Sequence, residues 1–170
     1  MGEALAQLFS EGVARESLFI QTKFSRNQDL ETCPYSPTAS IPAQVAESMS
    51  ISLANIRLEY VDSLVLHSPF QSHSDTMKAW RAMEVTVEAG FARQLGVSNI
   101  KSKSQLERIW EEATVKPSVL HMRFHAKTGF EREMRNWCSE NAAHFQSFWT
   151  LSVLRHPPPP QLNFQGWLWL

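Results

Sequence analysis

Short apolar segments alternate with longer amphipathic segments along most of this 170-residue chain. The apolar segments have the length of strands and cover residues 17–24, 60–67, 93–99, 117–124 and 143–148. Between them, apolar residues recur every three or four positions, which is the spacing of one helix face. Strands that alternate with helices form βαβ units, and these units build a parallel sheet. The alternation therefore predicts an α/β fold.

Two architectures fit this alternation, a doubly wound sheet and a (β/α)8 barrel. Four of the apolar segments end in polar residues, at Lys23, His67, Ser98–Asn99 and His125. Barrel enzymes place their chemistry at the carboxyl ends of their strands, so this pattern favours the barrel. A complete barrel needs about 250 residues and rarely fewer than about 200. Because this chain has 170 residues, we expect only part of a barrel.

Local signals predict where the helices begin. Ser40 and Pro42 together predict one helix start. Ser104–Glu107 and Thr128–Glu131 each have the form of a capping box, which predicts two more. Residues 1–13 have helical spacing with no capping residue before them. This pattern predicts a chain that starts within a helix and is truncated at its front.

The last part of the sequence breaks the alternation. Four consecutive prolines, Pro157–Pro160, favour an extended stretch, and the Trp and Leu residues that end the chain match no helical spacing. We therefore expect a partial barrel domain over residues 1–151. Residues 152–170 are expected to form a proline-rich tail that is unrelated to the barrel.

Composition excludes several classes of function. Lys and Arg number 16 against 17 Asp and Glu, a balance that argues against nucleic acid as a partner. No stretch approaches the ~20 apolar residues of a membrane span, so no membrane partner is predicted. The 2 cysteines are too few for a disulfide scaffold and predict a reduced, cytoplasmic protein. Three histidines (His121, His125 and His144) lack a cysteine or carboxylate at ligand spacing, so no metal site is predicted.

Three motifs together carry a resemblance to a known family. They are the segments Leu18–Lys23, Tyr60–Pro69 and Gly96–Asn99, the last with the sequence Gly-Val-Ser-Asn. In this order and at this spacing they resemble the aldo-keto reductases, and fungal-type members most of all, over residues 2–151. The resemblance implies a (β/α)8 barrel of which this chain holds about strands three to seven with their helices, truncated at both ends. It also implies NADP(H) as cofactor and hydride transfer between the nicotinamide and a small aldehyde or ketone.

The resemblance implies catalytic roles for Lys23 and His67. In the family, a lysine at this strand end stabilises the phenolate of a catalytic tyrosine, whose pKa is otherwise about 10. The family histidine that His67 matches orients the substrate carbonyl and donates a hydrogen bond to it. The Asp and Tyr of the family precede the helix with which this chain begins, so neither is matched here. Tyr35 is expected on a loop beside the site, and Tyr60 at the opposite end of the barrel.

Four further positions match cofactor contacts of the family. Ser98 and Asn99 match the pair that binds the nicotinamide carboxamide, and His121 stands where the family usually has a glutamine that binds the same group. Phe148 aligns with the aromatic residue that stacks on the nicotinamide ring in the family. Phenylalanine suits this role, because a flat ring packs best on a flat apolar partner.

Three functions remain open on the sequence. The first is an NADP(H)-dependent oxidoreductase, which the unmatched Tyr and Asp would leave inactive. The second is a non-catalytic regulatory or binding protein on the same scaffold, similar to potassium-channel β subunits. The third is another barrel enzyme with His67 as general base, and the Gly-Val-Ser-Asn match counts against it. Five strands do not close a barrel, so we also expect two open sheet edges, an exposed apolar inner face and a tendency to aggregate. No particular oligomeric state is predicted.

Overall fold

Five parallel strands form one sheet in this computed structural model, which describes residues 1–26 and 33–150. The strands are β1 (Gln21–Phe24), β2 (Val61–Leu66), β3 (Ala92–Ser98), β4 (Val119–Arg123) and β5 (His144–Phe148). Each lies within one of the apolar segments of the sequence, except that β3 begins one residue earlier, at Ala92. The predicted parallel α/β fold is confirmed.

Five α-helices are present in the same described ranges. They are α1 (Gly2–Ser10), α2 (Ile41–Ile56), α3 (His73–Glu88), α4 (Lys103–Glu112) and α5 (Arg132–Glu140). Short 3₁₀ turns cover Arg15–Ser17 and Ala126–Glu131. A helix follows each of the first four strands, so every crossover between parallel strands is helical, as the βαβ pattern requires.

The strand order separates the two architectures that fit the sequence. The strands pair in chain order, from β1 to β5, and every pair is parallel. In a doubly wound sheet the order reverses in the middle, whereas in a barrel each crossover advances by one strand in the same direction. The Gln21 Nε2 atom of β1 also donates a hydrogen bond of 3.0 Å to Gln146 Oε1 of β5. Because side chains of the two edge strands meet, the sheet is strongly curled.

The two faces of the curled sheet have different composition. Side chains on the outer face, such as Leu64, Leu95 and Leu120, join the buried core beneath the helices. On the inner face, strand register places Gln21, Ser63 and Gln94 side by side. The expected exposed apolar inner face is therefore found only in part, because the next layer holds Val65 and Val119, which are apolar but buried. The strands follow a period of two, and that period places amide and hydroxyl groups on the inside, where they approach one another across the curl.

Two predicted helix starts lie elsewhere in the structure. Helix α4 is capped by Ser102, whose Oγ accepts a hydrogen bond of 3.2 Å from the Gln105 N–H, two residues before the predicted cap. Thr128–Glu131 lies in a 3₁₀ turn, and α5 begins only after it. The φ angles of Phe130 and Glu131 are positive, at 57° and 52°, so the chain turns there and the second capping box does not form. Ser40 precedes α2 as predicted, although its side chain makes no capping hydrogen bond.

The predicted tail, residues 152–170, lies outside the described residues. None of the described helices combines the length and the apolar composition that crossing a membrane requires.

Candidate functional site

A cavity of about 190 Å³ opens at the carboxyl ends of the strands. All six side chains that the sequence proposes for the site line it, together with two that it does not propose. The lining residues are Lys23, His67, Ser98, Asn99, His121, Arg123, Phe148 and Trp149. The structure therefore brings residues from the ends of five strands, from Lys23 to Trp149, to one place.

Strand periodicity explains this convergence. Alternate residues of a strand point to the same face, and strand register aligns neighbours across the sheet. Ser98 of β3 is paired with His121 of β4, and Arg123 of β4 with Phe148 of β5. Lys23 is the third residue of β1 and pairs with Val65, two positions before His67. All these positions belong to the inner face of the curled sheet.

The Gly-Val-Ser-Asn motif holds three strand ends together. Asn99 has a left-handed φ of 55°, a conformation that asparagine tolerates better than most residues. Its Nδ2 donates a hydrogen bond of 2.8 Å to the carbonyl oxygen of His67. The Ser98 hydroxyl donates to the carbonyl of His121 at 2.8 Å, and its oxygen lies 3.1 Å from His121 Nδ1. Since the hydroxyl proton is used on the carbonyl, this pattern favours Nδ1–H as donor and leaves Nε2 of His121 as an acceptor.

Close packing between strands explains why position 96 of the same motif is glycine. A Cβ atom at Gly96 would lie 2.8 Å from the Cβ of Val119 and 3.0 Å from Cγ2 of Val65. Such distances are shorter than van der Waals contact, so only glycine fits between the neighbouring strands here. Gly96 thereby lets the inner face close up directly below the cavity.

His67 is held through a chain of contacts that the sequence does not predict. Its Nδ1 lies 2.9 Å from the hydroxyl oxygen of Ser25, one residue beyond β1. The Tyr35 hydroxyl donates a hydrogen bond of 2.6 Å to the carbonyl of Ser25, and the buried Tyr35 ring packs against Phe24. Tyr35 therefore lies beside the site, as expected, but its hydroxyl supports Ser25.

Tyr60 lies at the opposite end of the sheet, where β2 begins. Its ring is sandwiched between the guanidinium groups of Arg15 and Arg93, each 4.1 Å from the ring centre. Arg15 also forms a partly buried ion pair of 2.8 Å with Asp62. These contacts tie the amino ends of the strands together, far from the cavity.

Burial controls the charge of the cavity. It lowers the pKa of Lys23 below its usual value. Burial, and then electrostatic interactions with Lys23 and His67, lower the pKa of His121 to about 4. His121 is therefore neutral near pH 7 and offers hydrogen-bonding groups without adding charge beside the lysine.

Aromatic contacts form the wall of the cavity along β4 and β5. The Phe148 ring stacks on the His121 imidazole, with ring centres 4.8 Å apart and planes inclined by 30°. The Arg123 guanidinium lies over the Trp149 ring, 4.1 Å from its centre. Neither Arg123 nor Trp149 is proposed from the sequence. Arg123 could have been found, because it follows His121 by two positions and therefore points to the same face of β4. Trp149 could not, because its position depends on a left-handed φ of 60° that turns the chain at the end of β5.

Comparisons with known proteins agree with the motifs. The profile of the aldo/keto reductase family matches residues 1–151. Aldo-keto reductase family 4 member C11 of Arabidopsis thaliana is 28% identical over 162 residues, which cover 87% of this chain and 47% of that protein. The NADPH-dependent alpha-keto amide reductase of Saccharomyces cerevisiae is 35% identical over 107 residues, which cover 61% of this chain and 34% of that protein.

A solved structure shows the same arrangement of strands and helices. The aldose reductase of Schistosoma japonicum superimposes with a TM-score of 0.73 at 26% identity, over 92% of this chain and 54% of that one. The chain thus spans about half the length of the relatives that it matches. The match confirms that its sheet is part of a (β/α)8 barrel. The chain belongs to the aldo/keto reductase family.

Proposed function

We propose that this chain supplies part of the active site of an NADP(H)-dependent oxidoreductase that interconverts small aldehydes or ketones and alcohols. One observation carries the proposal: Lys23, His67, Ser98, Asn99, His121 and Phe148 converge on one cavity at the carboxyl ends of the strands. The cavity occupies the place where barrel enzymes hold their substrates. The yeast relative is by name an NADPH-dependent reductase.

The donor set of the cavity fits a nicotinamide. Ser98, Asn99 and His121 place hydroxyl, amide and imidazole groups along one wall, and these suit the oxygen and nitrogen of a carboxamide. Phe148 adds a flat apolar ring to the same wall, which suits a planar heterocycle. When bound, the nicotinamide would supply the hydride chemistry. We assign Ser98, Asn99, His121 and Phe148 to hold it.

Lys23 and His67 act on the substrate oxygen in this proposal. A Ser25 hydroxyl that donates to Nδ1 of His67 leaves the Nε2–H to donate to the carbonyl oxygen of the substrate. The positive charge of Lys23 stabilises negative charge that develops on an oxygen in the cavity. In the described ranges no tyrosine lines the cavity.

We further infer that residues 1–151 act as the reductase domain and that residues 152–170 form a separate tail. The expected substrates are small carbonyl compounds or alcohols, with no nucleic acid partner. A cytoplasmic location is consistent with Cys33 and Cys138, which form no disulfide.

A second function has its own support. The Tyr35 hydroxyl donates to the backbone of Ser25, and Tyr60 lies at the far end of the sheet. A cavity without a tyrosine hydroxyl favours a non-catalytic binding or regulatory protein, which would hold the cofactor and not turn it over.

A turnover assay separates the two functions. The full chain is incubated with NADPH and a small aldehyde, and the loss of NADPH absorbance is followed. An oxidoreductase predicts turnover that the Lys23→Met variant abolishes and that the Lys127→Met variant, changed at an exposed position, keeps. NADPH binding without turnover in the wild-type chain favours the regulatory function. Absence of both binding and turnover contradicts both proposals.

A further inference from the structure

Lys23 is placed to do more than stabilise charge. We propose that its amine forms a reversible imine with small aldehydes that enter the cavity, in a reaction that needs no NADP(H). Imine formation is covalent chemistry at the lysine itself, and it is therefore distinct from hydride transfer.

The position of Lys23 favours attack on a carbonyl carbon. Its backbone is fixed in β1 by pairing with β2, where Lys23 is opposite Val65. The side chain is half-buried and lines the cavity of about 190 Å³. A small aldehyde fits such a volume. A lysine fixed on a strand loses less freedom on reaching the carbonyl than a lysine on a mobile surface.

The surroundings of Lys23 favour the neutral amine, which is the nucleophilic form. The other titratable and charged side chains on the cavity wall are His67 from the end of β2, and His121 and Arg123 from β4. Of these, the Arg123 guanidinium carries a positive charge that disfavours an ammonium on Lys23, whereas His121 is neutral near pH 7 and adds none. The pKa of Lys23 is lowered by burial in the same direction. The cavity therefore raises the share of reactive amine at neutral pH.

The step balances without an oxidant or a reductant. The nitrogen lone pair of Lys23 forms a bond to the carbonyl carbon, and the π electrons of the carbonyl move to its oxygen. That oxygen gains a proton and the nitrogen loses one, which gives a carbinolamine. The hydroxyl group gains a proton and leaves as water while the nitrogen lone pair forms the C=N bond, and the nitrogen then releases its remaining proton to give the imine. His67, whose Nδ1 lies 2.9 Å from the Ser25 hydroxyl, is placed to pass these protons through its Nε2.

Reductive trapping tests the proposal. The full chain is incubated with propanal and sodium cyanoborohydride in the absence of NADP(H), and labelled lysines are identified by peptide mapping with mass spectrometry. We expect Lys23 to gain a propyl group several times faster than the exposed Lys127. The Lys23→Arg variant should lose this label, and the Lys127→Arg variant should keep it.

Labelling of the wild-type chain tests the reactivity of Lys23 even if the Lys23→Arg variant does not fold. In urea the preference for Lys23 should disappear, because burial no longer distinguishes the lysines. Labelling of Lys23 no faster than that of Lys127 in the native chain, or a preference that persists in urea, would overturn the proposal. Because the assay contains no cofactor, this result is independent of whether the chain catalyses hydride transfer.

Discussion

At the scale of single residues, His121 couples the cavity to pH. Its pKa is lowered to about 4 in the folded chain, by burial first and then by Lys23 and His67. An unfolded histidine titrates near 6.5. Between these values the unfolded chain binds a proton that the folded chain does not. Because unfolding then takes up a proton, the free energy of unfolding decreases as pH falls from about 6.5 towards 4.

A substitution of His121 tests whether it causes this decrease in the free energy of unfolding at lower pH. We expect the His121→Gln variant to lose this part of the pH dependence, since glutamine does not titrate. Urea unfolding of both proteins at about pH 7 and about pH 5 measures it. The wild-type chain should lose more stability than the variant on acidification. Equal losses in the two proteins would contradict the assignment.

At the scale of secondary-structure elements, Gly96 sets the spacing of three strands. In the Gly96→Ala variant the new methyl group meets Val119 of β4 and Val65 of β2 at 3.0 Å or less. We expect a loss of about 1–3 kcal/mol in the free energy of unfolding, because an overpacked interior forces backbone shifts. Urea denaturation followed by circular dichroism gives the value. An unchanged midpoint would show that the strands separate at no cost.

Helix α4 offers a paired test of its start. Ser102→Ala removes the oxygen that accepts from the Gln105 N–H, so the variant should lose about 0.5–2 kcal/mol in the free energy of unfolding. Ser104→Ala is the comparison, because Ser104 lies inside the helix and its hydroxyl contacts only the Ser102 hydroxyl, at 3.0 Å, without accepting from a helix N–H. If Ser104→Ala lowers the free energy of unfolding more than Ser102→Ala does, the helix cap lies at Ser104, as the sequence predicts.

These elements show how far sequence alone reaches. Strand and helix positions follow from periodicity, which is local, so all five strands were predictable. The start of α4 could not be predicted in this way. Ser102–Gln105 and Ser104–Glu107 both have the pattern of a capping box, and only the path of the chain that enters the helix selects between them. Four of the six proposed site residues, Lys23, His67, Ser98 and Asn99, lie in motifs at strand ends, whereas His121 and Phe148 follow only from the resemblance to the family. Ser25 was missed, because its contact with His67 depends on how two loops meet.

At the scale of the whole molecule, the edges of the described sheet lie on β1 and β5. The Gln21–Gln146 hydrogen bond connects their side chains, but the outward backbone groups of an edge strand can pair with another chain. We expect the purified chain to self-associate as its concentration rises. Light scattering coupled to gel filtration measures this. A monomer at all concentrations, with one sharp thermal transition, would contradict it.

We propose that Ser98, Asn99, His121 and Phe148, at the carboxyl ends of β3, β4 and β5, form one nicotinamide pocket. Fluorescence titration of the full chain with NADPH tests it most directly. We predict saturable binding that Asn99→Ala and Phe148→Ala each weaken several-fold and that Lys127→Ala, at an exposed position, leaves unchanged. No saturable change in the wild-type chain, or equal affinity in all four proteins, would contradict the account.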